Sequence, residues 1–102
     1  MRAWSMALLL LVALLGAPQA RAQVSVDVAK ITCRQLLFDK VISPNTKSLA
    51  LWLSGYYNGK RGNTVLDIGE LAKNTDKVED YCRMNQDVTV MDAVTKALSP
   101  SQ

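Results

Sequence analysis

Cys33 and Cys82 are the only cysteines in a chain of 102 residues, and both follow an apolar leader. Arg2 opens that leader, Met6 to Leu15 is an unbroken apolar run, and Gly16 and Pro18 break it. Ala20-Arg21-Ala22 then supplies the small residues of a cleavage site. The run is about half of the ~20 residues that cross a bilayer as a helix. Residues 1–22 therefore read as a cleaved secretory signal, and no stable membrane insertion is expected. The rest, residues 23–102, reads as one small domain. A domain this short buries only about 60% of its unfolded surface and needs a staple. Two cysteines in an exported domain allow one intramolecular pairing, and they read as a structural disulfide. Closing 49 residues contributes about 4 kcal/mol in the chain-entropy account. The rival reading is a redox pair, which C-x-x-C spacing or a neighbouring histidine would favour; the sequence has neither.

Charge excludes some partners. Of 12 basic residues, Arg2 and Arg21 lie in the leader, which leaves ten against nine acids, a net +1. No arginine stripe with interleaved aromatics is present, so no nucleic-acid partner is expected. Well below pH ~4 the nine acids neutralise and ten positive charges remain. With no histidine in the chain, any pH response must come from carboxylates.

The spacing of apolar residues predicts an all-α fold, a small single-domain bundle of four to five short helices closed by one disulfide. The leading segment, with Val24, Val26 and Val28, is either a brief strand or a loose arm. Thr32-Cys33-Arg34-Gln35 has capping-box spacing and opens a first helix, with Cys33, Leu36, Leu37 and Lys40 on one side. Ser43-Pro44 opens a second, because proline at the first helical position loses no hydrogen bond. It is expected to run to Tyr57 and stop near Asn58-Gly59. Its inner face is read as Leu49, Trp52, Leu53 and Tyr56, at i, i+3, i+4, i+7. Leu51 points away from that stripe, either an isolated surface leucine or a partner contact.

The turn Asn58-Gly59-Lys60-Arg61-Gly62-Asn63 is basic and glycine-rich but lacks phosphate-loop spacing and reads as solvated. Thr64 to Ile68 is open between strand and helix. Asp67 to Ala72 is expected to make a short helical turn weakened by Gly69. A separate helix capped at Asp76, with Glu79 three residues on, is expected to reach about Asn85 and to carry Val78, Tyr81 and Cys82 on one face. Asp87 or Thr89 caps a last helix, with Val90, Met91, Ala93, Val94, Ala97 and Leu98 on one side and Asp92, Thr95 and Lys96 on the other.

The chemistry of the side chains argues against an enzyme. Without histidine there is no ordinary general base near neutrality and no imidazole metal site. Glu79-Asp80 are adjacent on a helix and diverge by ~100°, unlike a glycosidase pair. No cofactor and no metal site are expected.

With these residues laid out, Thr32 to Leu98 resembles the HdeA/HdeB family of periplasmic acid-stress chaperones. The likeness rests on Thr32-Cys33 followed by Gln35-Leu36-Leu37, and on Ser43-Pro44 followed by Trp52 and Tyr56-Tyr57. It includes the Gly59-Lys60-x-Gly62-Asn63-Thr64 turn, Val78-Glu79-x-Tyr81-Cys82 and the amphipathic stretch Val90 to Leu98. Gln86 departs from the family's pattern, standing where a proline commonly follows the second cysteine and asparagine. The chain also carries no lysine-rich segment after Leu98.

The resemblance implies a stapled helical bundle, exported to the periplasm and a homodimer near neutrality. In acid it loosens or dissociates and holds acid-unfolded periplasmic proteins without ATP. Dimer or client contact is then expected at Leu49, Leu51, Trp52, Leu53, Tyr56, Val90, Val94 and Leu98. The alternative is a constitutive binding or inhibitory module with a fixed partner, meeting it through Leu51 and the Lys60-Arg61 turn. A structural protein with no client is a third reading.

Overall fold

A computed structural model describes residues 24–99. Four helices follow in order: α1 (Cys33–Phe38), α2 (Thr46–Lys60), α3 (Ile68–Met84) and α4 (Val90–Leu98). Short 3₁₀ turns precede α1 at Val28–Lys30 and α2 at Ser43–Asn45. The described residues contain no strand; the one β-like contact is an isolated antiparallel bridge between Thr32 and Thr89.

That bridge seats α1. A helix start leaves four amide donors without an intrahelical partner. Here the Cys33 amide donates to the Val88 carbonyl at 2.8 Å and the Arg34 amide to the Gln86 carbonyl at 3.0 Å. The Gln35 amide donates to Thr32 Oγ1, and the Gln35 side chain accepts from the Thr32 amide at 2.9 Å, completing the capping box. The Leu36 amide closes the first turn on the Thr32 carbonyl. A six-residue helix is far too short to persist alone; the loop before α4 holds its first turn in place. Gln86 serves this loop through its backbone carbonyl, a group that proline also has, so the departure leaves the bond intact.

The disulfide joins α1 to α3, Cys33 to Cys82, with Cα atoms 4.8 Å apart and both residues fully buried. Leu36, Val78, Val90, Ala93 and Ile31 close around it. Thr89 caps α4 by accepting from the Asp92 amide at 3.1 Å, and the Val90 amide returns to the Ile31 carbonyl at 2.8 Å. The polar residues Asp92, Thr95 and Lys96 face out, as the periodicity predicts.

Three local expectations are corrected. First, Asp67–Ala72 and the segment after Asp76 form one helix, α3, capped by Asp67, whose carboxylate accepts from the Glu70 amide at 3.0 Å. Gly69 lies in the first turn, where its flexibility costs least. Thr75 turns its hydroxyl back onto the Leu71 carbonyl at 2.7 Å, which commits it to the helix interior. Second, α2 begins one turn after Ser43 and runs to Lys60, past Asn58-Gly59. The stop is Gly62 at φ 67°: its amide donates to the Gly59 carbonyl and the Asn63 amide to that of Asn58. That pair of bonds is the Schellman closure, which needs a left-handed residue just past the helix end. Third, α2 is turned by about half of one residue's ~100° from the expected face. Leu53 is its one buried residue, with Leu49 and Tyr57 half-buried beside it, whereas Trp52 and Tyr56 are 48% and 37% exposed.

Candidate functional site

The surface around α2 is where this small molecule leaves apolar area open. Beneath α2, between it and the pair α3–α4, runs an open groove of about 870 Å³. Leu49, Leu53 and Tyr57 line it from α2, Leu71 and Val78 from α3, and Val90, Val94 and Leu98 from α4. The α2 helix is lightly anchored across this groove. The Tyr57 hydroxyl donates to the Met91 carbonyl at 3.4 Å, a long bond, and Leu53 supplies the buried contact. Residues 59–70, which lead from α2 to α3, are exposed throughout.

On the outer side of α2, Trp52 and Tyr56 stack with ring centroids 5.2 Å apart and planes 9° from parallel. Tyr56 meets Tyr57 edge-on at 5.2 Å, and the Lys60 ammonium sits 4.4 Å from the Tyr56 ring centroid. The pairing explains why these rings remain at the surface. Stacking and a cation over a ring face satisfy part of their apolar area without burial. The Tyr56 hydroxyl holds the Lys60 ammonium above its ordinary range. Leu51, 49% exposed, extends the outer patch.

The eight expected contact residues therefore divide into two surfaces. Leu49, Leu53, Val90, Val94 and Leu98 meet in the groove; Leu51, Trp52 and Tyr56 lie outside it. The expectation that Trp52 and Tyr56 belong to the inner face is wrong, because Tyr57 takes the inner place. Leu71 belongs to the groove and escaped the sequence reading. Its signal was present: Leu71, Thr75, Val78 and Cys82 follow each other at three- and four-residue steps, one helical stripe across the supposed break.

The basic turn has its own explanation. Arg61 donates to the Asn58 side chain at 2.6 Å and Lys60 lies on Tyr56, so both cations are engaged on α2 itself. The described residues hold four ion pairs, all on the surface. One, Arg34 to Asp87 at 3.1 Å, ties α1 to the loop before α4. The Asp39 carboxyl, between α1 and α2, is held below the usual carboxylate range. The Ile42 and Val41 amides both donate to it, and partial desolvation opposes them weakly. No group of three or more potential metal ligands occurs among the described residues, and none of the four helices is long and apolar enough to cross a membrane.

The profile described as the HdeA/HdeB family matches residues 1–92. No curated protein and no solved structure matches the chain.

Proposed function

The chain belongs to the HdeA/HdeB family, and from that premise we propose that it is an ATP-independent acid-stress chaperone of the periplasm. It acts by holding partly unfolded proteins on apolar surface, not by catalysis. The observation that carries this reading is the division of the molecule. Seven of the nine buried residues lie on α1, α3, α4 and the segment just before α1, around the disulfide, while α2 rests over an open apolar groove. Such a chain can expose the groove without losing its stapled part.

Acid supplies the driving force. As the nine carboxylates protonate, the charge of residues 23–102 climbs from +1 towards +10. Like charge on so short a chain favours expansion and separation of subunits. The partners are acid-unfolded periplasmic proteins, and the neutral form is a homodimer. Client contact falls on the groove residues Leu49, Leu53, Val90, Val94 and Leu98 and on the outer patch Leu51, Trp52 and Tyr56. The bridge keeps the loosened chain short enough to refold on neutralisation.

Light scattering of an acid-labile periplasmic client, taken to pH 2–4 and then neutralised with and without the protein, tests this. Suppressed aggregation in acid, and none at pH 7, supports it. No suppression at any pH removes the chaperone activity and leaves the family fold. Suppression strongest at pH 7 and lost on mutation of Leu51 points instead to a constitutive module with a fixed partner.

A further inference from the structure

The α2 helix is held at three places, and they differ in kind. In its middle Leu53 packs into the core, and one turn on the Tyr57 hydroxyl donates to the Met91 carbonyl. At its C-terminal end the exposed segment 59–70 imposes little. At its N-terminal end a compact turn reverses the chain from α1, and that turn is organised by one carboxylate. Asp39 Oδ1 accepts from the Val41 amide at 2.8 Å and from the Ile42 amide at 3.0 Å. The Asp39 carbonyl accepts from the Ser43 amide at 2.9 Å, and the Ser43 hydroxyl donates to the Leu37 carbonyl at 3.2 Å. These bonds drive Ile42, 7% exposed, into the core directly ahead of α2.

We propose that the Asp39 carboxylate is the latch that keeps α2 over its groove, and that protonating it frees α2 before the stapled part of the molecule yields. This rests on the acid-chaperone reading for its purpose, and it concerns how that site is opened.

The chemistry is local. Both amides share one oxygen, and a charged acceptor makes roughly twice as strong a hydrogen bond as a neutral one. A proton arriving on Oδ2 leaves Oδ1 an ordinary carbonyl acceptor, so both bonds weaken together. The lowering of Asp39 comes first from the Ile42 amide, then from Val41; no charged side chain of any of the four helices is among its causes. The titratable groups of the elements flanking the turn are Arg34 of α1, Lys40 of the turn itself and Lys47, Tyr56, Tyr57 and Lys60 of α2; none of them is a carboxylate. Asp39 joins none of the four ion pairs among the described residues.

The sign follows from linkage. A carboxyl whose folded pKa lies below its unfolded one stabilises the folded form above the unfolded value, near 4. That contribution disappears as pH falls through the folded value. The latch is closed at neutrality and opens only as pH falls below the ordinary carboxylate range.

Amide hydrogen exchange, compared between variants at each pH from 7 to 2, reads α2 separately from α3 and α4. Asp39→Asn keeps an acceptor oxygen but cannot titrate. At pH 7 its protection over residues 46–60 should lie below that of the wild type, while α3 and α4 match. Towards pH 2 the wild-type α2 protection should fall to meet the Asn variant's, and an apolar dye should bind the two equally. Asp76→Asn, which removes a carboxylate outside the turn, should follow the wild type throughout. Parallel loss of α2 protection in wild type and Asp39→Asn, with a constant gap, would overturn the latch. So would loss of α3 and α4 protection before α2. None of these readouts contains a client, so a latch that opens without suppressing aggregation separates failure of the chaperone reading from failure of this one.

Discussion

The part of the molecule around the disulfide and the part formed by α2 are built on different terms. Around Cys33–Cys82, α1, α3 and α4 are joined by a covalent bond, by backbone hydrogen bonds from the loop before α4, and by side chains such as Val90 and Ala93 that are essentially fully buried. The α2 helix, the second longest, contributes a single buried side chain and shows Leu51, Trp52 and Tyr56 to solvent. Length therefore does not measure how firmly a helix is held. A six-residue helix with its donors paired and a bridge through its first residue is better fixed than a fifteen-residue helix with one buried leucine, two half-buried neighbours and one long hydrogen bond. Under the proposed function, in which the chain opens in acid and closes on neutralisation, such inequality is useful. Local opening draws on the least stable unit and leaves the rest as a template for return.

The comparison breaks most completely if the staple is removed. Replacing Cys33 and Cys82 together by serine should cost about 4 kcal/mol, the largest single effect available. It should fall on α1, α3 and α4 together. Chemical denaturation at pH 7 measures the loss, and recovery of helical signal after a pH 2 exposure measures its consequence. If the reduced-type variant recovers as fully and as fast as the wild type, the bridge is not what preserves the template.

Next in size is a paired experiment on two apolar residues. Leu53→Ala should cost about 2 kcal/mol, the low end for a leucine truncation, because the open groove lets the site collapse or hydrate. Val90→Ala removes fewer atoms from a site that is 1% exposed, and it should cost about 1–2 kcal/mol. The informative quantity is where the loss appears. Amide exchange should accelerate over residues 46–60 for Leu53→Ala and across α1, α3 and α4 for Val90→Ala. Identical patterns would mean that the two regions open as one unit.

The firmly held part was also the part most legible in the sequence. Thr32 with Gln35, Cys33 with Cys82, and the α4 stripe each announce a local geometry that nothing elsewhere in the chain contests. Around α2 and the start of α3, competing local signals made the reading fail. Asp76 with Glu79 has capping spacing, yet Asp67 is the cap, because the stripe from Leu71 to Cys82 continues through Asn74-Thr75-Asp76. Trp52 and Tyr56 have the hydrophobicity of a core and the spacing of an inner face. Aromatic rings that stack on each other and on a lysine can remain in water, and periodicity alone does not register that option. The groove itself depends on how far α2 stands from α3, which no local pattern encodes. Asp39 passed unnoticed because its role is a turn closed on its own backbone amides, a geometry that many aspartates could adopt.

A smaller effect sharpens the account of α1. Thr32→Ala removes the acceptor for the Gln35 amide and should cost about 1 kcal/mol. The Cys33 and Arg34 amides keep their partners in the loop before α4, so α1 should remain helical at lower stability. A thermal melt shows the shift, and the helical signal at 25 °C should be unchanged. Loss of that signal would mean that the cap, and not the loop, seats the helix.

The smallest effect on stability is expected at the outer face of α2, and there the two regions separate most usefully. Trp52→Ala forfeits one stacked pair on a residue that is already 48% exposed. It should cost about 0.5–1 kcal/mol and leave the stapled part untouched. Tyr56 retains its edge contact with Tyr57 and its cation from Lys60, so the helix keeps its shape. Under the proposed function the same variant should hold clients less well in acid, because it removes the largest apolar side chain on the exposed patch. Client scattering at pH 2–3, compared at equal protein concentration, gives the answer. If stability and client holding are both unchanged, contact is confined to the groove. If client holding falls while the melt barely moves, the aromatic ladder is part of the surface that clients meet, and its failure to bury follows from the work that α2 does.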